Sequence, residues 1–128
     1  MKWLLVFLLF SQQFLLRQPI QVAIESGDFS HLEIICQEKV SVNCEEPFML
    51  NGYYSRQKFV AGFSEQFSKY ELKEFEWLTR QIEENFAIQS INLILKNKRS
   101  EALVYYKFIF FMTQDKTWKL YYLRGLRI

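Results

Sequence analysis

Between Ala102 and Met112 the chain reads as a strand with no polar face. Val104, Tyr106, Phe108 and Phe110 fall on one side of a period-two alternation. Leu103, Tyr105, Ile109 and Phe111 fall on the other, and Lys107 alone interrupts that row. A strand in a sheet covered on one side alternates apolar with polar residues. A strand apolar on both sides has to be covered twice, which constrains everything packed around it.

Neighbouring segments supply the rest of a sheet. After Tyr70 the apolar period changes from 3.6 to 2, with Phe75, Trp77 and Thr79 alternating against Glu74 and Glu76. Phe86 to Leu95 reads as a strand with Ala87, Ile91, Leu93 and Leu95 on one side. Asn97 to Ser100 and Gln114-Asp115-Lys116 read as turns, and Thr117 to Ile128 as the last strand. Four strands joined in sequence this way predict an antiparallel meander.

Upstream the chain is helical. Ile20, Ala23 and Ile24 share a face, Pro19 suits a first turn, and Gly27 suits the position after the last turn. Asp28 is placed to cap a second short helix with Phe29, Leu32 and Ile35 inward. Val40, Val42 and Cys44 alternate with Ser41 and Asn43 as a half-buried strand. Asn51-Gly52, between Met49-Leu50 and Tyr53-Tyr54, reads as the tight turn of a hairpin. Ser55 is placed to cap a helix carrying Phe59, Val60, Phe63 and Phe67 on one face. Helices ahead of a meander predict an α+β domain, with N-terminal helices packed on one side of a strongly curved antiparallel sheet. For the second side two covers are open: a second copy of the chain, closing a homodimer, or the sheet wrapping over itself.

The chain's 128 residues suit one domain, and half of them are hydrophobic, so the core needs no staples. The two cysteines, Cys36 and Cys44, read as small buried apolar residues. Eight extended steps would part them by ~26 Å, against the ~7 Å that a disulfide spans; a tight turn would bring them closer. The 16 basic and 14 acidic residues alternate in sign rather than forming a basic face, which argues against nucleic-acid binding. Lys96, Lys98 and Arg99 read as a solvated turn.

Residues 1–16 read as a signal peptide: Lys2, then an apolar run from Trp3 to Phe10 that is shorter than the ~20 residues a membrane span needs. Ser11 offers a small residue before a cut, although Leu9 is large for its position. An uncleaved anchor flanked by Arg17 is the alternative. The expectation is an exported protein, periplasmic or secreted, with residues 17–128 as its single domain and no stable membrane span once the signal is removed.

The sole histidine, His31, has no nucleophile beside it in the sequence, and too few ligands converge for a metal. Asp28 and Asp115 are assigned to a cap and a turn, and Glu74, Glu76, Glu83 and Glu84 to solvent-facing or turn positions. No catalytic set and no cofactor is therefore expected. The residues expected to line the hollow of the sheet are Tyr106, Phe108, Phe110, Trp118, Tyr122 and Arg124, an apolar surface with a few polar handles. They either line a pocket for a small hydrophobic ligand or interlock with Phe59, Phe63 and Phe67 as solid core.

The order of elements resembles the nuclear-transport-factor-two-like, or cystatin-like, superfamily, whose curved sheet forms a cone around a helix. Shorter patterns resemble a family of small exported bacterial proteins, the domain-of-unknown-function family 4783. They are Ile20, Ala23-Ile24, Gly27-Asp28, Leu32, Val40 and Val42; Tyr54-Ser55 with Phe63 and Phe67; and the closing Leu126-Arg127-Ile128. Phe86-Ala87-Ile88-Gln89 departs from that pattern, with Gln89 where the family tends to have Gly. The resemblance implies the cone fold but assigns no activity, because the superfamily hosts enzymes and binding modules alike. Two functions are carried forward: an exported, non-enzymatic binding or interaction module that pairs through its sheet, and a small isomerase or lyase acting in the cone.

Overall fold

The structure, a computed structural model, describes residues 17–78 and 81–128. The expected signal peptide and Thr79 lie outside the described residues.

A first helix, α1, covers residues 17–26. Ile20, Ala23 and Ile24 are buried along it, and Gly27 closes it with φ +74° and its N–H on the Ala23 carbonyl. Only glycine adopts that left-handed geometry without strain. A 3-10 helix follows over Phe29–Ile35, capped by Asp28, whose carboxylate accepts from the Ser30 N–H. Phe29, Leu32 and Ile35 recur every third residue, the period of a 3-10 rather than an α-helix, so all three stack inward. Hydrogen bonds from the Ser30 N–H and hydroxyl hold the Asp28 carboxyl below its ordinary pKa.

Strand β1 is Cys36–Cys44 and strand β2 is Asn51–Ser55. Helix α2, Arg56–Phe67, begins at Ser55, whose hydroxyl accepts from the Lys58 N–H. As the sequence predicts, Phe59, Val60, Phe63 and Phe67 are its buried stripe. Then come β3 (Tyr70–Trp77), the two-residue β4 (Gln81–Ile82), β5 (Phe86–Asn97), β6 (Leu103–Asp115) and β7 (Thr117–Arg127). The sheet order is β2-β1-β7-β6-β5-β3, with β4 beside β5.

Two expectations are corrected here. The sheet is mixed: β1 pairs with β7 in parallel, because the last strand of the meander returns alongside the first strand of the chain. The Asn51-Gly52 dipeptide is not the tip of a hairpin but the start of β2, paired antiparallel with β1. The connection is residues 45–50, with a cis bond at Glu46-Pro47. Asn51 takes both its side-chain oxygen and nitrogen to the backbone of Cys44 and so closes the ladder instead of turning it. Cys36 begins β1 and Cys44 ends it, with no tight turn between them. Both cysteines sit on one extended strand, buried and free.

Register shifts interrupt β1, β3 and β7, and such bulges bend a sheet. The result is a curled, unclosed sheet with the helices in its hollow, an α+β arrangement. Phe29 packs on Phe63 and Phe67 at ring distances of 4.6 and 5.1 Å, and Phe63 packs on Phe108 at 5.2 Å.

Candidate functional site

The hollow side of the sheet is the first place to look for chemistry. Tyr106, Phe108 and Phe110 line it as expected, and all three are fully buried. They do not border an open space. Phe48 lies 4.7 Å from Tyr106 and 5.2 Å from Phe108, and Phe63 closes the other side. Trp118 packs at the margin of this core, with its indole N–H buried and unpartnered.

The Tyr106 hydroxyl donates to the backbone carbonyl of Glu45 at 2.6 Å. Burial pushes its pKa far up, so it stays a neutral donor. The Glu45 side chain points away, accepting from the Arg127 N–H. Gly125 leaves the room this tyrosine needs: a β-carbon there would lie 2.7 and 2.9 Å from Tyr106 ring carbons and closer still to its hydroxyl. Burial pushes the thiols of Cys36 and Cys44 up to about 12 and about 11, which removes them as nucleophiles.

Tyr122 and Arg124 are not in the hollow. Phe111 pairs with Tyr122 but Met112 pairs with Leu120, so Tyr121 is an extra residue in β7. One inserted residue reverses the facing of all that follows. Trp118 and Leu120 therefore keep the expected side, while Tyr122 joins Phe111 on the convex side, ring to ring at 5.1 Å. Arg124 stands opposite Ile109 there, exposed.

A polar cluster occupies the end of the hollow under α1. The Arg17 guanidinium lies 4.7 Å from the Trp77 ring, bonds the Gln89 side-chain oxygen at 3.0 Å, and reaches the Leu78 carbonyl. Gln89 is wholly buried, and its side-chain nitrogen has no partner. His31, at the 3-10 helix, lies 3.7 Å from Asp28 with both side chains half in solvent. Among the described residues, no group of three His, Cys, Asp or Glu side chains could hold a metal. No described helix is long and apolar enough to cross a membrane.

The convex face is different in kind. Cross-strand pairs Ile88–Phe111, Ser90–Ile109, Asn92–Lys107, Ile94–Tyr105 and Lys96–Leu103 run down the seam of β5 and β6. Leu103 and Tyr105 are about half exposed, at 52% and 49%. Ile88, Ile94, Ile109, Phe111 and Tyr122 are partly exposed beside them. Near the Tyr105 end, Glu74, Glu76, Asn92, Ile94 and Tyr105 border a groove of about 260 Å³. The Asn92 side-chain oxygen is buried there without a hydrogen-bond donor. Among the described residues, the Lys107 ammonium in the same row has no carboxylate at ion-pair distance. The apolar row was legible as the second face of the Ala102–Met112 strand. Asn92 was missed because its neighbours on β5 read as one apolar side and an unremarked other.

Solved structures share this architecture. A DUF4783 family protein from Bacteroides uniformis superposes with a TM-score of 0.72 at 11% identity, covering 87% of this chain and 95% of that one. An NTF2-like protein from Cytophaga hutchinsonii gives 0.62 at 14% identity, with 88% and 92% covered. The fold is nuclear-transport-factor-two-like. A protein from Rhodopseudomonas palustris called a putative isomerase has the same cone, with a TM-score of 0.68, 10% identity, and 91% and 88% covered. Identities this low establish the shared fold and nothing finer. No family model and no curated protein matches the chain.

Proposed function

We propose that this protein is an exported, non-enzymatic interaction module that works as a homodimer joined through the convex face of its sheet. The observation that carries the reading is the partly exposed convex row of Ile88, Ile94, Leu103, Tyr105, Ile109 and Phe111, interrupted at its middle by the Asn92–Lys107 pair. An apolar patch rimmed by charge, here Glu74 and Glu76 on one edge and Arg124 on the other, is typical of a surface meant for a partner. A second copy supplies the same patch, and strands β6 and β7 then present Lys107 and Arg124 to a partner whose β3 edge is acidic.

The filled hollow supports a binding rather than a catalytic role. Proton abstraction needs an acid beside a donor around an accessible substrate position. Here Tyr106 is committed to a backbone carbonyl and its neighbours are phenylalanines. A small isomerase or lyase remains the competing reading by fold alone.

Sedimentation equilibrium of the protein beginning at Arg17 tests the proposal. A dimer that Tyr105→Glu converts to folded monomer is expected. A wild-type protein that stays monomeric at high micromolar concentration would overturn it.

A further inference from the structure

Beyond self-association, we propose that this protein takes up a strand of another protein along its β3 edge, an extended segment that alternates basic with apolar residues. β3 ends the sheet: β5 lies on one side of it, and no strand of the described residues lies on the other. The Leu78 N–H donates to the Ser90 carbonyl, and residue pairs bond alternately along an antiparallel ladder. Glu74 and Glu76 therefore bond to β5, while the N–H and C=O groups of Phe75 and Trp77 point away from it. Nothing among the described residues bonds these outward groups. A row of this kind is a template for an added strand.

The side chains specify that strand. On the convex side the edge presents Glu74 and Glu76, both exposed and without an ion pair among the described residues. Lys73, at the bulge, is already paired with Glu71 at 3.2 Å. Glu74 and Glu76 border the groove of about 260 Å³ with Tyr105, whose ring offers a face to a cation. On the concave side Leu72, Phe75 and Trp77 are partly exposed. A groove of about 320 Å³ opens there beside Leu72, walled by Ile24 and Phe67. Gln21 of α1 accepts from the Trp77 indole at 3.0 Å and holds that end of the edge in place. An added strand sends alternate side chains to the two sides. Its residues beside Glu74 and Glu76 are therefore Lys or Arg, and those beside Phe75 and Trp77 are apolar. Opposite charges across a strand pair stabilise it and like charges oppose it. A second copy of β3 is thereby the wrong occupant: it uses Phe75 and Trp77 together only by pairing one with the other, which sets Glu76 against Glu76. The opposite edge, β2, carries no charge over Asn51–Ser55 and lacks this selection.

A capped peptide alternating Lys with Val over the length of β3 tests this, by titration calorimetry and by amide chemical shifts. It should bind the protein and move the Phe75 and Trp77 amide signals most. A peptide of the same composition, with its lysines grouped ahead of its valines, should bind about tenfold more weakly. So should the alternating peptide against Glu74→Lys combined with Glu76→Lys, with circular dichroism confirming that the variant is folded. In the antiparallel pairing the valine N–H groups face β3 and the lysine N–H groups face solvent. Methylating a central valine nitrogen should therefore weaken binding about tenfold, and methylating a central lysine nitrogen much less. Equal losses from the two methylations, equal binding by the grouped peptide, shifts centred on Tyr53 of β2, or no binding at all would each overturn the proposal. The outcome is independent of the dimer, because peptide binding is read whether the protein sediments as monomer or as dimer.

Discussion

The two faces of this sheet are built from nearly the same residue types and have opposite fates. On the concave face the row of Tyr106, Phe108 and Phe110 is buried, with Phe48 from the loop before β2 and Phe63 from α2 packed on it and Phe29 of the 3-10 helix behind Phe63. On the convex face Leu103 and Tyr105 stand half in water, and Phe111 is partly exposed beside them. Alternation along one strand makes both rows, and only the packing of distant segments separates them. An aromatic residue in this fold is therefore core or contact surface according to what the rest of the chain brings over it.

Substitutions can break that comparison. Phe63→Ala should cost about 3–5 kcal/mol of unfolding free energy in urea, because it empties the middle of the concave cluster. A loss under about 1 kcal/mol would mean the hollow is looser than its ring distances imply. Gly125→Ala should cost about 1–3 kcal/mol, since its β-carbon meets the Tyr106 ring; pairing it with Tyr106→Leu should recover much of that loss. Ile109→Ser, on the convex side, should change monomer stability by less than about 1 kcal/mol while weakening self-association. An effect as large as that of Phe63→Ala would assign the convex row to the core.

The smallest effect sharpens the comparison at its solvent margin. Asp28 is exposed, and its pKa is lowered by the Ser30 hydrogen bonds. A depressed acid stabilises the fold above its unfolded pKa, and that contribution fades as the pH falls through the lower, folded value. Asp28→Asn keeps a capping oxygen without a charge, so its unfolding midpoint should decline slightly less below neutrality than that of the wild type. Thermal melts across the acid range read this directly.

Much of this was legible from local pattern. The α2 stripe of Phe59, Phe63 and Phe67, the Ser55 and Asp28 caps, the Gly27 stop and the inward rows of β5 and β6 each follow from spacing within one element. The concave lining was legible for Tyr106, Phe108, Phe110 and Trp118. It failed at Tyr122 and Arg124, where one inserted residue, Tyr121, reversed the phase. A bulge of this kind is set by how β7 must bend against β6, and the alternation of β7 alone carries no mark of it.

Within single elements, then, the amino-acid order was sufficient: helix, strand, cap and buried stripe are decided by neighbours a few positions apart, which sense the period of the backbone directly. Between elements it was not. The parallel seating of β1 on β7, the use of Asn51 to close a ladder rather than turn it, and the choice of which aromatic row is sealed all depend on residues tens of positions apart meeting in space. Those choices belong to the tertiary structure because hydrophobic burial is non-directional: it requires that an apolar row be covered, and only the assembled chain settles by what.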